Sequence, residues 1–127
     1  MTNFTNSLGA FGETKTCELY IARGFEILTR NYRNRGFELD IVAHKANQLH
    51  VIEVKTRTGS NHYQLHDLLS KAKLSSLKKG VQHFISRQNQ LYWYSIQLDL
   101  VVVDINKNSQ TSHVEVWENI FDLNTVL

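Results

Sequence analysis

Two kinds of apolar spacing alternate along the chain. From about Phe4 to Arg23, Ala10, Cys17, Tyr20 and Ile21 recur at helical intervals, which predicts a first helix that Gly24 ends. Phe25-Glu26-Ile27-Leu28 opens an extended stretch and leads into a basic connector holding Arg30, Arg33 and Arg35. Phe37 to Ala43 and Leu49 to Thr56 are rich in β-branched residues and flank a short polar segment, the pattern of a β-hairpin. Helical spacing returns in Leu65, Leu68, Leu69, Ala72, Leu77, Val81, Phe84 and Ile85, predicting a second helix from about Gln64 to Arg87. Leu91 to Asp104 contains the run Leu100-Val101-Val102-Val103, typical of a strand buried on both faces, and His113 to Trp117 predicts one more strand. The order helix, three strands, helix, two strands predicts an α/β domain.

Composition narrows the setting. With 127 residues, 42% hydrophobic and 20% charged, the chain is expected to fold as one domain, residues 1–127, without a disulfide or structural metal. Neither a repeat nor a linker divides it. The lone Cys17, on an apolar helix face, reads as a core residue. A secretory leader is not evident, and no apolar run approaches the roughly 20 residues that cross a bilayer. The expected location is a reducing cytoplasm, away from membranes. The net charge of +2 conceals an asymmetry: residues 1–87 hold 13 Lys/Arg and 7 Asp/Glu, residues 88–127 hold 1 and 5. A basic front suits a polyanionic partner, or is a solvated face.

The candidate chemistry gathers on the hairpin. Side chains alternate along a strand, so Glu38 and Asp40 share one face of its first strand, and Glu53 and Lys55 share one face of its second. Leu39 and Ile41, with Ile52 and Val54, form the opposite, apolar faces, while Val42 and Val51 make the polar face apolar toward the hairpin end. Glu13 falls on the apolar face of the first helix, an expensive place for an unpaired carboxylate. Gathered carboxylates repel unless a proton or cation joins them, and Mg²⁺ takes one or two carboxylates with water and phosphate oxygens. The same residues also suit a cross-strand ion-pair set of Asp40, Glu53 and Lys55.

In context the pattern resembles the PD-(D/E)xK nuclease superfamily, which includes restriction endonucleases and Holliday-junction resolvases, and within it the YraN-like family of small bacterial proteins. The matching residues are Gly9, Gly12-Glu13, Gly24, Ile27-Leu28, Asn31-Tyr32-Arg33, Glu38-Leu39-Asp40-Ile41-Val42 and Val51-Ile52-Glu53-Val54-Lys55-Thr56-Arg57. They continue through Lys73, Leu77, Leu98-Asp99-Leu100-Val101-Val102 and Asn119-Ile120-Phe121. The resemblance implies a restriction-endonuclease-like fold, a mixed central β-sheet flanked by helices in the order α-β-β-β-α-β-β, and metal-dependent hydrolysis of DNA, branched DNA included. It implies Mg²⁺ or Mn²⁺ on Asp40, Glu53 and the carbonyl of Val54, with Glu13 reaching the metal and Lys55 orienting the attacking water. Lys73 would meet the phosphate backbone or the edge of the site. Related resolvases are symmetric dimers, which nothing in this chain's own residues requires. Phe37 stands where the family usually has Gly before Glu38, and Thr16 where it has a smaller residue.

Arg30, Arg33, Arg35 and Arg57 are candidate phosphate contacts, or solvated charges. His62 and His66 have helical ligand spacing but no further pair to complete a zinc site. Tyr92, Trp93 and Tyr94 read as packing or an oligomer surface before a base-stacking platform. Asp99 and Asp104 flank the buried run without an assigned role. Two functions compete: a metal-dependent endonuclease, and a catalytically silent nucleic-acid-binding or assembly module on the same scaffold. A hydrolase of small phosphorylated molecules is disfavoured because no Gly-rich phosphate loop is present.

Overall fold

The computed structural model describes residues 4–59, 64–88 and 95–123, with the backbone alone at 4–6, 65 and 66. Its elements are α1 (Phe4–Ala22), β1 (Glu26–Asn34), β2 (Phe37–Lys45), β3 (Gln48–Thr58), the one-turn α2 (Leu65–Leu68), α3 (Lys71–Ser86), β4 (Ser95–Asn106) and β5 (Thr111–Asp122). The strands form one mixed sheet in the order β1-β2-β3-β4-β5. Only β3 and β4 run parallel, joined through α2 and α3. The expected order α-β-β-β-α-β-β is present, and the architecture is consistent with a restriction-endonuclease-like fold. None of the described helices is long and apolar enough to cross a membrane.

Burial explains the sheet. Leu100, Val101 and Val103 are fully buried in β4 and Val102 nearly so, as expected for a strand covered on both sides. One face carries Leu39, Val42, Leu49, Val51, Ile96 and Leu98 against Leu77, Val81 and Phe84 of α3. The other carries Ile41, Ala43, Ile52, Val101 and Val103 against Cys17 and Tyr20 of α1. Leu39 and Ile41 therefore lie on opposite faces, not the same one: regular alternation slips between them, and Asp40 is the residue at the slip.

Each helix ends for a local reason. After α1, Phe25 N–H bonds to Tyr20 O and Gly24 N–H to Ile21 O, a closure that requires the left-handed backbone of Gly24, φ 92°. The second helix of the sequence reading is two helices, because Ser70 interrupts it and its Oγ caps α3 by accepting Lys73 N–H at 3.1 Å. The basic connector is also corrected: Arg30 and Arg33 are residues of β1 paired with Ile41 and Glu38, and only Arg35 lies in the turn. Strand β5 extends well beyond His113–Trp117, and β4 is described from Ser95, leaving Tyr92, Trp93 and Tyr94 outside the described residues. On α1, Ala10 and Ile21 are exposed; its inward face is Gly12, Thr16, Cys17 and Tyr20.

Candidate active site

Strands β2 and β3 pair from Lys45↔Gln48 to Ile41↔Ile52 and then part. Continuing that register would set Asp40 opposite Glu53, the two acids of the sequence pattern. Where the ladder stops, Asp40 Oδ2 accepts the backbone N–H of Val54 at 2.9 Å, so a side chain takes a bond that the neighbouring strand would otherwise supply. Both acids are almost wholly buried, Asp40 8% and Glu53 2% exposed.

Two lysines from different elements meet on one oxygen. Lys55 Nζ of β3 and Lys73 Nζ of α3 each lie 3.3 Å from Glu53 Oε1. Glu53 Oε2 is buried and has no hydrogen-bond partner among the described residues. Asp40 is pushed up to about 7, first by burial and then by the charge of Glu53, with Glu38 adding to both; the Val54 N–H and Lys73 pull the other way. This arrangement suits a hard cation: one Glu53 oxygen is desolvated and without a hydrogen bond, and the neighbouring Asp40 is reluctant to ionise without a positive partner.

From α1, Glu13 borders the same groove, which holds about 340 Å³ and is also lined by Leu8, Gly9, Glu38, Val54, Thr56 and Arg57. Burial raises Glu13 first, and Asp40 raises it further, while its hydrogen bond with Asn31 and the charge of Arg30, 3.8 Å away, lower it. Glu13 thus shares the groove with Asp40 and Glu53, yet among the described residues no three acid, His or Cys side chains converge as one ligand cluster.

Packing holds α1 close. A Cβ at Gly12 would collide with Thr56 Oγ1 and come within 3.2 Å of Thr56 Cβ, so glycine lets the helix lie directly on β3. Thr16 is fully buried, and its hydroxyl donates to Gly12 O at 2.8 Å, which satisfies it within the helix. Phe37 does not obstruct the site: its ring stacks on Tyr32 at 5.9 Å and packs against α3 near Gly80.

The cationic candidates divide. Lys73 lies in the site itself and not merely at its edge. Arg57 lines the acid groove, while Arg30 and Arg33 line an adjoining polar groove of about 320 Å³ that shares Gly9, Glu13 and Glu38 with it. Arg35 is exposed in the β1–β2 turn and lines neither. His62 and the side chain of His66 lie outside the described residues.

A model of the uncharacterised protein family UPF0102 matches residues 12–103, a span that takes in Glu13, the hairpin acids, both lysines and β4 through Val103. The chain belongs to this family. It is 30% identical over 116 residues to a UPF0102 protein of Flavobacterium psychrophilum, covering 91% of this chain and 94% of that one. A UPF0102 protein of Caldicellulosiruptor saccharolyticus is 32% identical over 117 residues, covering 90% and 96%. One from Mycobacterium marinum is 34% identical over 111 residues, covering 84% and 90%. The YraN-like assignment made from motifs is this same family.

Sequence reasoning left Asp99 without a role, and the structure supplies one. Fully buried on the α1 side, it accepts His50 Nδ1 and Tyr20 OH on Oδ2 at 2.7 Å each, and Gln97 Nε2 and Asn119 N–H on Oδ1 at 2.9 Å each. Burial alone would raise Asp99, but these hydrogen bonds, His50 foremost, outweigh it and hold it below the usual carboxylate value. Burial and the same carboxylate push the Tyr20 phenol upward. Asn31, one of the motif residues of β1, has a left-handed backbone, φ 53°, and its side chain hydrogen-bonds Glu13.

Proposed function

We propose that this chain is a Mg²⁺- or Mn²⁺-dependent endonuclease that hydrolyses DNA phosphodiester bonds, branched or structured DNA included. The observation that carries the reading is the buried Asp40–Glu53 pair at the strand divergence, with Lys55 on Glu53 Oε1 and the groove open beside them. Asp40, Glu53 and the carbonyl of Val54 would hold the cation, with Glu13 nearby. Bound there, a divalent cation polarises a phosphoryl group and makes water a stronger nucleophile at neutral pH. Lys55 orients that water and faces the negative charge that grows on phosphorus oxygens. The water oxygen forms its bond to phosphorus as the bond to the 3′ sugar oxygen breaks. The water gives up a proton to solvent and the departing oxygen gains one, leaving a 5′-phosphate and a 3′-hydroxyl. Lys73, Arg33 and Arg57 supply positive charge for the phosphates on either side; Arg35, in its turn, would reach only a longer duplex.

The test is cleavage of linear, nicked and branched DNA by the purified chain with Mn²⁺ or Mg²⁺, abolished in Glu53→Ala and Lys55→Ala. Wild-type protein that leaves the whole panel intact across metal concentrations overturns the proposal.

One observation favours the silent binding module instead: Lys55 and Lys73 already compensate Glu53 without a metal. In that case DNA binding is metal-independent, falls steeply with salt, and is unchanged or improved by Asp40→Ala. Calorimetric titration separates the two, since a saturable Mn²⁺ site lost in Asp40→Ala belongs only to the enzyme.

A further inference from the structure

Beside the acid groove lies a second, mostly apolar one of about 330 Å³, between the first half of α1 and the β4–β5 turn. Leu8 lines both grooves, so they adjoin across it. The second groove is lined by the apolar Leu8, Phe11 and Ile105 and by polar residues that include Lys107, the Gln110 amide and the Ser112 hydroxyl, while Asn106 Oδ1, also in its lining, already accepts the N–H groups of Asn108 and Ser109. Phe11 is 40% exposed, which sets it apart, because burial is the usual fate of a large apolar side chain in this protein. Ile21, the other large apolar side chain exposed among the described residues, at 57%, borders none of the three grooves described above. Lys15 Nζ lies over the Phe11 ring, 5.6 Å from its centre, so one face of the ring carries a cation and the other is left for a stacking partner.

An exposed ring, a nearby cation and a lining with an amide and a hydroxyl match the three parts of a nucleotide: a flat face that stacks, a phosphate, and edges that hydrogen-bond. A lipid chain would have no use for the polar lining. We infer that the Leu8–Phe11–Ile105 shelf receives one unstacked nucleobase from the strand whose phosphate occupies the acid groove. This inference rests on the nuclease reading and adds a substrate class to it. Bases within an intact duplex have both faces covered by their neighbours, whereas a single strand, a flap or a junction arm can present one. The shelf therefore selects DNA that is unpaired next to the scissile phosphate.

The experiment uses the full chain with Ca²⁺ in place of Mg²⁺ or Mn²⁺, so that the acid groove is neutralised and binding is read apart from cleavage. The probes are a single-stranded oligonucleotide carrying 2-aminopurine, the same oligonucleotide with an abasic site at that position, and a blunt duplex of equal length. Expected is a change of 2-aminopurine fluorescence on binding to wild type, lost in Phe11→Ala together with roughly a tenfold loss of affinity for the single strand. Phe11→Tyr should restore both, and the abasic strand and the duplex should bind wild type and Phe11→Ala alike. Because Phe11 is partly exposed, the alanine variant is expected to fold, which its circular dichroism checks. Single-strand binding that is unchanged in Phe11→Ala overturns the shelf and leaves the nuclease reading standing. Wild type that binds none of the three probes also overturns the shelf, while the nuclease reading is decided separately by the cleavage panel.

Discussion

Asp40 ends the pairing of β2 with β3 by taking the Val54 N–H onto its own Oδ2, 2.9 Å away. One side chain thereby separates the strands and stands in the gap it makes, opposite Glu53. A carboxylate held this way is fixed by the backbone of the neighbouring strand, so its position does not depend on a ligand being present.

The folded protein should lose stability as pH rises through this site. Asp40 titrates near 7 in the native state against an ordinary 3.8, so between those values the native chain binds more protons than the unfolded one. Stability falls across that window and levels off above it. Asp40→Asn keeps an acceptor for Val54 and removes the charge, and is expected to flatten the slope and gain about 1–3 kcal/mol at pH 8. Urea denaturation of both proteins from pH 4.5 to 8 measures it, and parallel curves would contradict the assignment.

Metal affinity should show the opposite trend. A cation must displace the Asp40 proton below about 7, so Mn²⁺ binding is expected to strengthen roughly tenfold per pH unit from 5 toward 7 and then flatten. Calorimetry in two buffers of different ionisation enthalpy would register the released proton. Affinity that ignores pH argues against Asp40 as a ligand.

The two lysines on Glu53 should separate by kinetic behaviour. Lys55→Met is expected to slow single-turnover cleavage at least about a hundredfold with little change in DNA affinity. Lys73→Met should weaken DNA binding and reduce its salt dependence by about one counterion. It should also move the acid-dependent stability window upward, because Lys73 is one of the groups that lower Asp40. Indistinguishable variants would remove the division of roles.

Close approach of α1 depends on one hydrogen atom in place of a methyl. Gly12→Ala is expected to cost about 1–3 kcal/mol through the clash with Thr56 Oγ1, and the added substitution Thr56→Ala should recover much of it. A double variant that recovers nothing in thermal denaturation would refute this account.

Asp99 should matter for folding and not for chemistry. Asp99→Ala leaves the buried Tyr20 hydroxyl and His50 ring, and the less buried Gln97 amide and Asn119 N–H, without their acceptor and is expected to cost about 2–4 kcal/mol while leaving Mn²⁺ affinity of the folded fraction unchanged. Its lowered pKa adds stability above the ordinary carboxylate range that is lost as pH falls through the native value. A metal titration altered by this substitution would tie the α1-side network to the site.

Spacing determined a good deal of this protein by itself. The buried run Leu100–Val103, the hairpin and the kinship carried by Asp40, Glu53 and Lys55 are local patterns, because strand periodicity and burial leave their mark within a few consecutive residues. Tertiary structure decided the rest. The slip between Leu39 and Ile41 falls where β2 and β3 part, which simple alternation cannot anticipate. Lys73 reaches Glu53 from a helix that begins only because Ser70 caps it, and Asp99 gains its four partners from β3, β4, β5 and α1. The groove shared by α1, β3 and α3 follows from Gly12, whose missing side chain becomes informative only when Thr56 is set against it. Periodicity reports which way a side chain faces; only the packed chain decides what it meets there, since those neighbours come from distant segments.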